Sequence, residues 1–131
     1  MEFEKAKKDF IINSKEYTKE NLTKLMQAIS NFAKVGEDGE VVIIKKISTR
    51  KVLKLILAAR FVAHEVEDSI SSDVSKNELE TYSGLKKPIF IARYNEILRE
   101  GFAKKDGESF KAKNILLVEK FLSELGGGLK K

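Results

Sequence analysis

The sequence predicts an α+β fold that is mostly α. Apolar residues recur at helical spacing in several long segments, which indicates helices that each bury one face. Two segments depart from that period: the β-branched run at residues 41–47, and a stretch around the turn pair Asp106-Gly107. The chain has 131 residues, of which 42% are hydrophobic, and this suits one packed domain with a small extension.

The amino-terminal third predicts a helix followed by a strand. Residues 1–17 fit either a helical stripe or a short strand over the letters DFIIN, and we favour the strand. Thr18 is a suitable helix N-cap, because its hydroxyl can accept a free amide hydrogen of the first turn. After it an apolar face recurs at helical spacing: Leu22, Leu25, Met26, Ile29, Phe32 and Ala33. Gly36 ends this helix, and the turn EDGE leads into the strand at 41–47.

The longest predicted helix runs over residues 50–68, and Thr49 is its expected cap. Its apolar residues surround most of the helix axis: Val52, Leu53, Leu55, Ile56, Leu57, Ala59, Phe61, Val62, Ala63 and Val66. Such a helix lies at the centre of a core or is shared with a partner chain. The next helix begins at Ser75 with a capping box, in which the Ser75 hydroxyl and the Glu78 side chain each bond the other residue's amide.

A tight turn, a third helix and a hairpin follow. Gly84 stands where a left-handed glycine ends a helix. Pro88 lies in the first turn of the next helix, where its missing amide hydrogen costs nothing, and that helix ends near Gly101. Two short strands then flank Asp106-Gly107, because both residue types favour the positive φ of a tight hairpin turn.

The last helix defines the end of the main domain. Asn114 is its expected cap, and three consecutive glycines at 126–128 stop it, so we expect residues 126–131 to be a flexible tail. Residues 49–125 then form the main domain. Residues 1–48 form an amino-terminal helix–strand extension, which either covers the core or contributes to dimerisation.

The composition excludes several classes of function. Without cysteine there is no disulfide, thiol nucleophile or thiolate metal site, and the single histidine, His64, cannot build a zinc site. No serine has the surroundings of a nucleophile, so His64 is interpreted as a helix-surface or interface residue. No apolar run suits a membrane span or a signal peptide. We expect a cytoplasmic protein with thermophile-like composition that is not an enzyme and uses no metal and no cofactor.

The whole chain has a formal net charge of +5, and most of this positive charge lies in its second half. Residues 75–131 carry 12 Lys or Arg against 8 Asp or Glu, whereas residues 1–74 carry 13 against 12. Most of the excess lies within residues 86–113, where eight basic residues stand against four acidic ones. This distribution favours a polyanion such as nucleic acid as the partner.

The order of helix, helix, tight turn, helix, hairpin and helix over residues 50–125 resembles a winged helix-turn-helix domain. The motif ARYNEILREGF, residues 92–102, is the densest part of that resemblance. The resemblance implies a supporting helix at 75–83, a recognition helix at 86–100 that lies in the major groove, and a wing at 103–112 on the DNA backbone.

A helical wheel over the recognition helix separates two faces. Phe90, Tyr94 and Ile97 face the core, and Ile91 and Leu98 widen that face. The opposite face is small and polar: Pro88, Ala92, Asn95 and Arg99. The residues expected to contact nucleic acid are Lys86, Lys87, Ile89, Ala92, Arg93, Asn95, Arg99, Lys104, Lys105, Lys111 and Lys113.

The expected function is that of a non-enzymatic regulator of transcription that binds double-stranded DNA. Asn95 would pair with adenine and Arg99 with guanine or phosphate, while the lysines contact phosphates. A homodimer through residues 18–68 is expected, because two half-sites double the contact area. The alternative is a winged helix that docks to a protein or a ribonucleoprotein without specific DNA binding.

Overall fold

The computed structural model describes residues 19–125, together with Phe3, Lys5 and Ala6, which are helical. Within residues 19–125, five helices and two small antiparallel sheets form an α+β fold that is mostly helical, as predicted. The strand expected over DFIIN, the cap expected at Thr18 and the tail expected at 126–131 lie outside the described residues.

The elements alternate between helices and short strands. The helices are α1 (Lys19–Ser30), α2 (Thr49–Val66), α3 (Lys76–Ser83), α4 (Lys87–Glu100) and α5 (Ile115–Leu125). The strands are β1 (Ala33–Val35), β2 (Val41–Ile43), β3 (Val74–Ser75), β4 (Ala103–Asp106) and β5 (Ser109–Ala112). One sheet pairs β1 with β2, and the other has the strand order β3-β5-β4, with every pairing antiparallel.

The amino-terminal region is a helix followed by a hairpin, not a helix followed by one strand. The prediction that α1 continues through Phe32 and Ala33 is wrong, because α1 ends at Ser30, Phe32 lies in the following turn and Ala33 begins a strand, and both are buried there. A strand needs a partner for its backbone groups, and β1 provides the partner that β2 requires. The turn between them uses Gly39 at φ 93°, and β2 ends at Ile43 rather than at residue 47.

Helix α2 is the centre of the core, as predicted. It packs against the four other helices and against strands of both sheets. Its buried residues are Val52, Leu53, Leu55, Ile56, Leu57, Ala58, Ala59, Arg60, Val62 and Ala63. The expected cap at Thr49 is wrong: Thr49 is already helical, and the Ser48 hydroxyl accepts the hydrogen bond from the Arg50 amide at 3.1 Å.

Arg60 is a charged residue inside this core, with 4% of its surface exposed. Its guanidinium donates hydrogen bonds to three backbone carbonyls, those of Gly39 at 2.8 Å, Ser71 at 2.7 Å and Asp73 at 2.7 Å. It pairs with no carboxylate among residues 19–125. Arg60 therefore joins α2 to the β1–β2 turn and to the segment that leads into β3.

The short-range signals around α3 and α4 are confirmed. Ser75 and Glu78 form the capping box, with hydrogen bonds of 3.0 and 3.1 Å. Gly84 ends α3 in the left-handed conformation at φ 67°, and Pro88 lies in the first turn of α4. The Asn114 side chain caps α5 by accepting a hydrogen bond from an amide of its first turn.

The hairpin turn is displaced by one residue from its expected place. Asp106 pairs with Ser109 as the last pair of the ladder, so the two turn residues are Gly107 and Glu108. Only Gly107 has positive φ, at 64°, and positive φ at the first central position is the requirement of a type II′ turn. Strand β3 was not predicted, because two residues are too few to show a period, and it is defined only by its pairing with β5.

Candidate nucleic-acid interface

Helix α4 is anchored by its inner face. Phe90 and Ile97 are fully buried, and Tyr94 is half-buried between Phe90 and Phe110, with ring centroids 5.1 and 5.3 Å apart. These residues fix the helix against the sheet and α2. The expectation that Ile91 widens this face is wrong, because Ile91 is 38% exposed and lies a full 100° around the helix from Phe90.

The outer face of α4 is open. Pro88, Ala92, Asn95 and Arg99 are all exposed, as the helical wheel predicts. Within residues 19–125, no hydrogen bond or ion pair engages the side chains of Asn95 or Arg99. Two donors with different geometry, a flat amide and a guanidinium, therefore project from one exposed face of the helix.

Two exposed lysines stand at the beginning of the same helix. Lys86 is the N-cap residue of α4 and Lys87 is its first residue, and the Lys86 side chain makes no capping hydrogen bond. Both residues therefore stand at the end of the helix that carries partial positive charge. Together with the outer face, they make this end of α4 attractive to phosphate groups.

Arg93 is placed differently from the other candidate residues. Its side chain is 19% exposed, and its Nη1 donates to Glu96 Oε2 at 2.7 Å. The same carboxylate oxygen accepts from Arg50 Nη1 at 2.7 Å, and Lys54 pairs with Glu100 at 2.7 Å. Arg93 therefore belongs to the ion pairs that link α4 to α2, and not to the exposed outer face.

The ion pairs also determine the charge of Glu96. Partial burial alone would raise the pKa of this carboxyl, but the hydrogen bond from Arg93 and the positive charges of Arg50 and Arg93 outweigh it. The pKa of Glu96 is therefore lowered from its ordinary value. Because Glu96 stays ionised at neutral pH, it neutralises part of the positive charge on the flank of α4 that faces α2.

The hairpin lysines do not share one surface. Residues directly opposite each other in an antiparallel ladder lie on the same face, and successive residues alternate between faces. Lys105 is opposite Phe110, so it lies on the face that packs against α4, and its Nζ is 6.0 Å from the Phe110 ring centroid. Lys104 is opposite Lys111, so this pair lies on the other face of the hairpin.

One basic residue beside α4 was missed in the sequence. Lys76, the first residue of α3, has its Nζ 5.3 Å from the Tyr94 ring centroid. It thus lies on the same side of the sheet as Lys105. Nothing in the local pattern indicates this position, because it follows from the packing of Tyr94 between α3 and the hairpin.

Two isoleucines interrupt the polar character of this region. Ile89 is 39% exposed and Ile91 is 38% exposed, on opposite flanks of α4. An apolar contact with a thymine methyl group suits such a side chain, and so does a protein partner. The exposed isoleucines are therefore compatible with both functions that the sequence suggests.

The described residues also bear on other kinds of site. Residues 19–125 contain no group of three or more His, Asp or Glu side chains that would hold a metal ion. His64 is half-buried, and its Nδ1 is 2.8 Å from the Ile70 carbonyl oxygen. None of the described helices combines the length and the apolar content that crossing a membrane requires.

Comparisons with known proteins found no match: no family model fits the chain, and neither a curated protein nor a solved structure is similar to it.

Proposed function

We propose that this chain is a winged helix-turn-helix protein that binds double-stranded DNA and regulates transcription without enzymatic activity. Helix α3 supports the recognition helix α4, and the β4–β5 hairpin is the wing. The order α2-β3-α3-turn-α4-β4-β5 is compatible with this proposal. The observation that carries it is the open outer face of α4, with Asn95 and Arg99 unengaged by the rest of residues 19–125.

Each exposed residue of this surface has a chemical role in the proposal. The Asn95 amide can donate to and accept from one adenine edge, and the Arg99 guanidinium can pair with guanine or with a phosphate. Ala92 is small, so the helix can approach the base pairs closely. Lys86, Lys87 and Lys105 are placed to contact phosphates, which contributes affinity but no sequence preference.

The test is duplex DNA binding measured by fluorescence anisotropy over a salt series. Each phosphate contact contributes about −0.9 to the slope of log affinity against log salt concentration. If Lys86, Lys87, Arg99 and Lys105 each contact a phosphate, the slope is about −3.6. Lys87→Ala should reduce that slope by about one unit, and Arg99→Ala should weaken binding by about tenfold or more. Lys24→Ala is the matched control, because Lys24 is exposed on α1.

Two outcomes would contradict the proposal. If Lys24→Ala weakens binding as much as Lys87→Ala, only net charge attracts the DNA. If no duplex binding occurs at about 50 mM salt, where nonspecific contacts alone are strong, α4 is not a DNA-reading helix. The second outcome favours the alternative function, a protein-docking winged helix, for which exposed Ile89 and Ile91 would be the contact residues.

We also propose that the protein acts as a homodimer through the region of residues 18–68. An apolar groove of about 280 Å³ lies between α1, β1 and the second half of α2. Met26 is 37% exposed and Val66 is 44% exposed at this groove. Contact between two such grooves would remove both side chains from water, which favours association.

Size-exclusion chromatography with light scattering tests the dimer. We expect the mass of a dimer for the unmodified chain and of a monomer for Val66→Glu, because a buried charge at the interface has no partner. Leu116→Glu is the control, since Leu116 is also exposed but lies on α5 and does not line the groove. A monomer at micromolar concentration for the unmodified chain would exclude this proposal.

A further inference from the structure

A polar cavity of about 450 Å³ lies between the β4–β5 hairpin and the second half of α2. Its hairpin wall contains Lys104, Lys111 and Lys113, and its α2 wall contains Glu65 and Asp68. The two lysines of the hairpin ladder face this cavity because they lie on the opposite side of the hairpin from Lys105 and Phe110. The cavity is thus separate from the outer face of α4.

The lysines that border the cavity carry positive charge that no ion pair within residues 19–125 neutralises. Lys104 and Lys111 are directly opposite each other in the ladder, and like charges in that arrangement destabilise a hairpin. Lys113 follows the hairpin and also borders the cavity, but its Nζ lies beside Gly101 at the end of α4. Within residues 19–125, none of the three forms an ion pair with a carboxylate. A bound anion would relieve this repulsion.

The first turn of α5 adds hydrogen-bond donors to the same cavity. Asn114 and Ile115 border it, and α5 has 11 residues, so its N-terminus carries appreciable partial positive charge. The Asn114 side chain satisfies only the amide of Leu117, at 3.0 Å. The preceding amides of the first turn have no acceptor within the helix and suit an anion.

The α2 wall limits which anions fit. Glu65 and Asp68 repel a continuous polyanion such as a DNA backbone, but carboxylates accept hydrogen bonds from hydroxyl groups. The volume lies within the range of small-molecule sites. A molecule with a phosphate at one end and hydroxyl groups at the other matches both walls.

We propose that this cavity binds a small phosphorylated molecule that carries hydroxyl groups. Its phosphate contacts Lys104, Lys111 and the first turn of α5, and its hydroxyl groups donate to Glu65 and Asp68. This site requires neither the winged-helix assignment nor DNA binding by α4. It gives two of the hairpin lysines, Lys104 and Lys111, a ligand other than DNA.

Isothermal titration calorimetry at fixed ionic strength tests the site with ribose 5-phosphate as the probe and ribose as its uncharged counterpart. We expect saturable binding of one ribose 5-phosphate per chain and no binding of ribose. The double variant Lys104→Gln/Lys111→Gln should weaken binding about tenfold or more. The charge-matched control is Lys76→Gln/Lys105→Gln, which changes the opposite side of the sheet and should leave binding within about twofold.

Two results would overturn the proposal. One is an equal loss of affinity in the two double variants, which would mean that net charge alone attracts the probe. The other is the absence of saturable binding at concentrations up to about 10 mM. Duplex DNA binding by the same two double variants separates this proposal from the proposed function, since only Lys76→Gln/Lys105→Gln is expected to weaken DNA binding.

Discussion

Replacing Arg60 with methionine is expected to lower the free energy of unfolding by about 3 kcal/mol or more. Methionine keeps most of the aliphatic volume but removes the donors, so the carbonyls of Gly39, Ser71 and Asp73 lose their partner together. The bond to the Gly39 carbonyl is buried and the other two are partly buried, and a buried carbonyl left without a donor costs about 1–3 kcal/mol. Urea denaturation followed by circular dichroism measures the change directly.

Arg50→Met is the matched control on the same helix. The Arg50 side chain is 68% exposed, and its ion pair with Glu96 is therefore expected to contribute less than about 1 kcal/mol. Arg60→Lys should fall between the two variants, because lysine keeps the charge but lacks the planar fork that reaches three separate carbonyls. Equal destabilisation by Arg60→Met and Arg50→Met would show that the three hydrogen bonds have no special importance.

Replacing Phe110 with alanine is expected to destabilise the fold by about 3–5 kcal/mol. Phe110 is fully buried on the central strand of the three-stranded sheet, and its ring lies 5.3 Å from that of Tyr94. The substitution removes a large apolar side chain and leaves a cavity between β5 and α4. Thermal and urea unfolding measure the loss, and the hairpin should become the first part of the chain to exchange its amide hydrogens.

Leu116→Ala provides the comparison for Phe110→Ala. Leu116 is 49% exposed on α5, so its truncation should change stability by less than about 1 kcal/mol. A double-mutant cycle between Phe110→Ala and Tyr94→Leu isolates the ring contact, for which about 0.5–1.5 kcal/mol is expected. A Phe110→Ala variant as stable as Leu116→Ala would mean that the sheet is not packed on α4 as described.

The parts of the fold that could be predicted are those set by neighbours in sequence. The capping box of Ser75 and Glu78, the glycine at position 84 and the cap at Asn114 each depend on residues within one turn. Strands β1 and β3 could not be predicted, because each has only two or three residues and exists through its partner. Ala33 of β1 also fits the helical period of α1, and only pairing with β2 decides between the two structures.

In the candidate interface, too, the features set by neighbours in sequence could be predicted and those set by distant residues could not. The inner and outer faces of α4 follow from its period, so burial of Phe90 and exposure of Asn95 could be predicted. The pair of Arg93 with Glu96 has the i,i+3 spacing of helix ion pairs and was therefore visible in the sequence. The pair of Glu96 with Arg50 joins residues 46 apart, and no local pattern indicates it. The burial of Arg60 could not be predicted either, because arginine is rarely fully buried. Its three acceptors are backbone carbonyls, which residue types do not reveal.

The alternation of the hairpin lysines was available from the sequence. Lys104 and Lys105 are consecutive, and consecutive residues of a strand never share a face. The expectation that Lys104, Lys105 and Lys111 all contact nucleic acid from the wing requires them to lie on one face, which this period does not allow. The ladder now separates Lys105 from the Lys104–Lys111 pair.

Because the two faces of the β4–β5 hairpin carry different lysines, the number of residues in its strands is important. In an exposed loop, the insertion or deletion of one residue is usually tolerated. Within β4, the loss of one residue would turn every following side chain to the reverse side, moving the ammonium of Lys105 into the cavity and that of Lys104 towards α4. Natural variants of this chain should therefore vary freely at the solvent-exposed tip around Gly107 and Glu108, yet keep a constant number of residues between Gly101 and the tip.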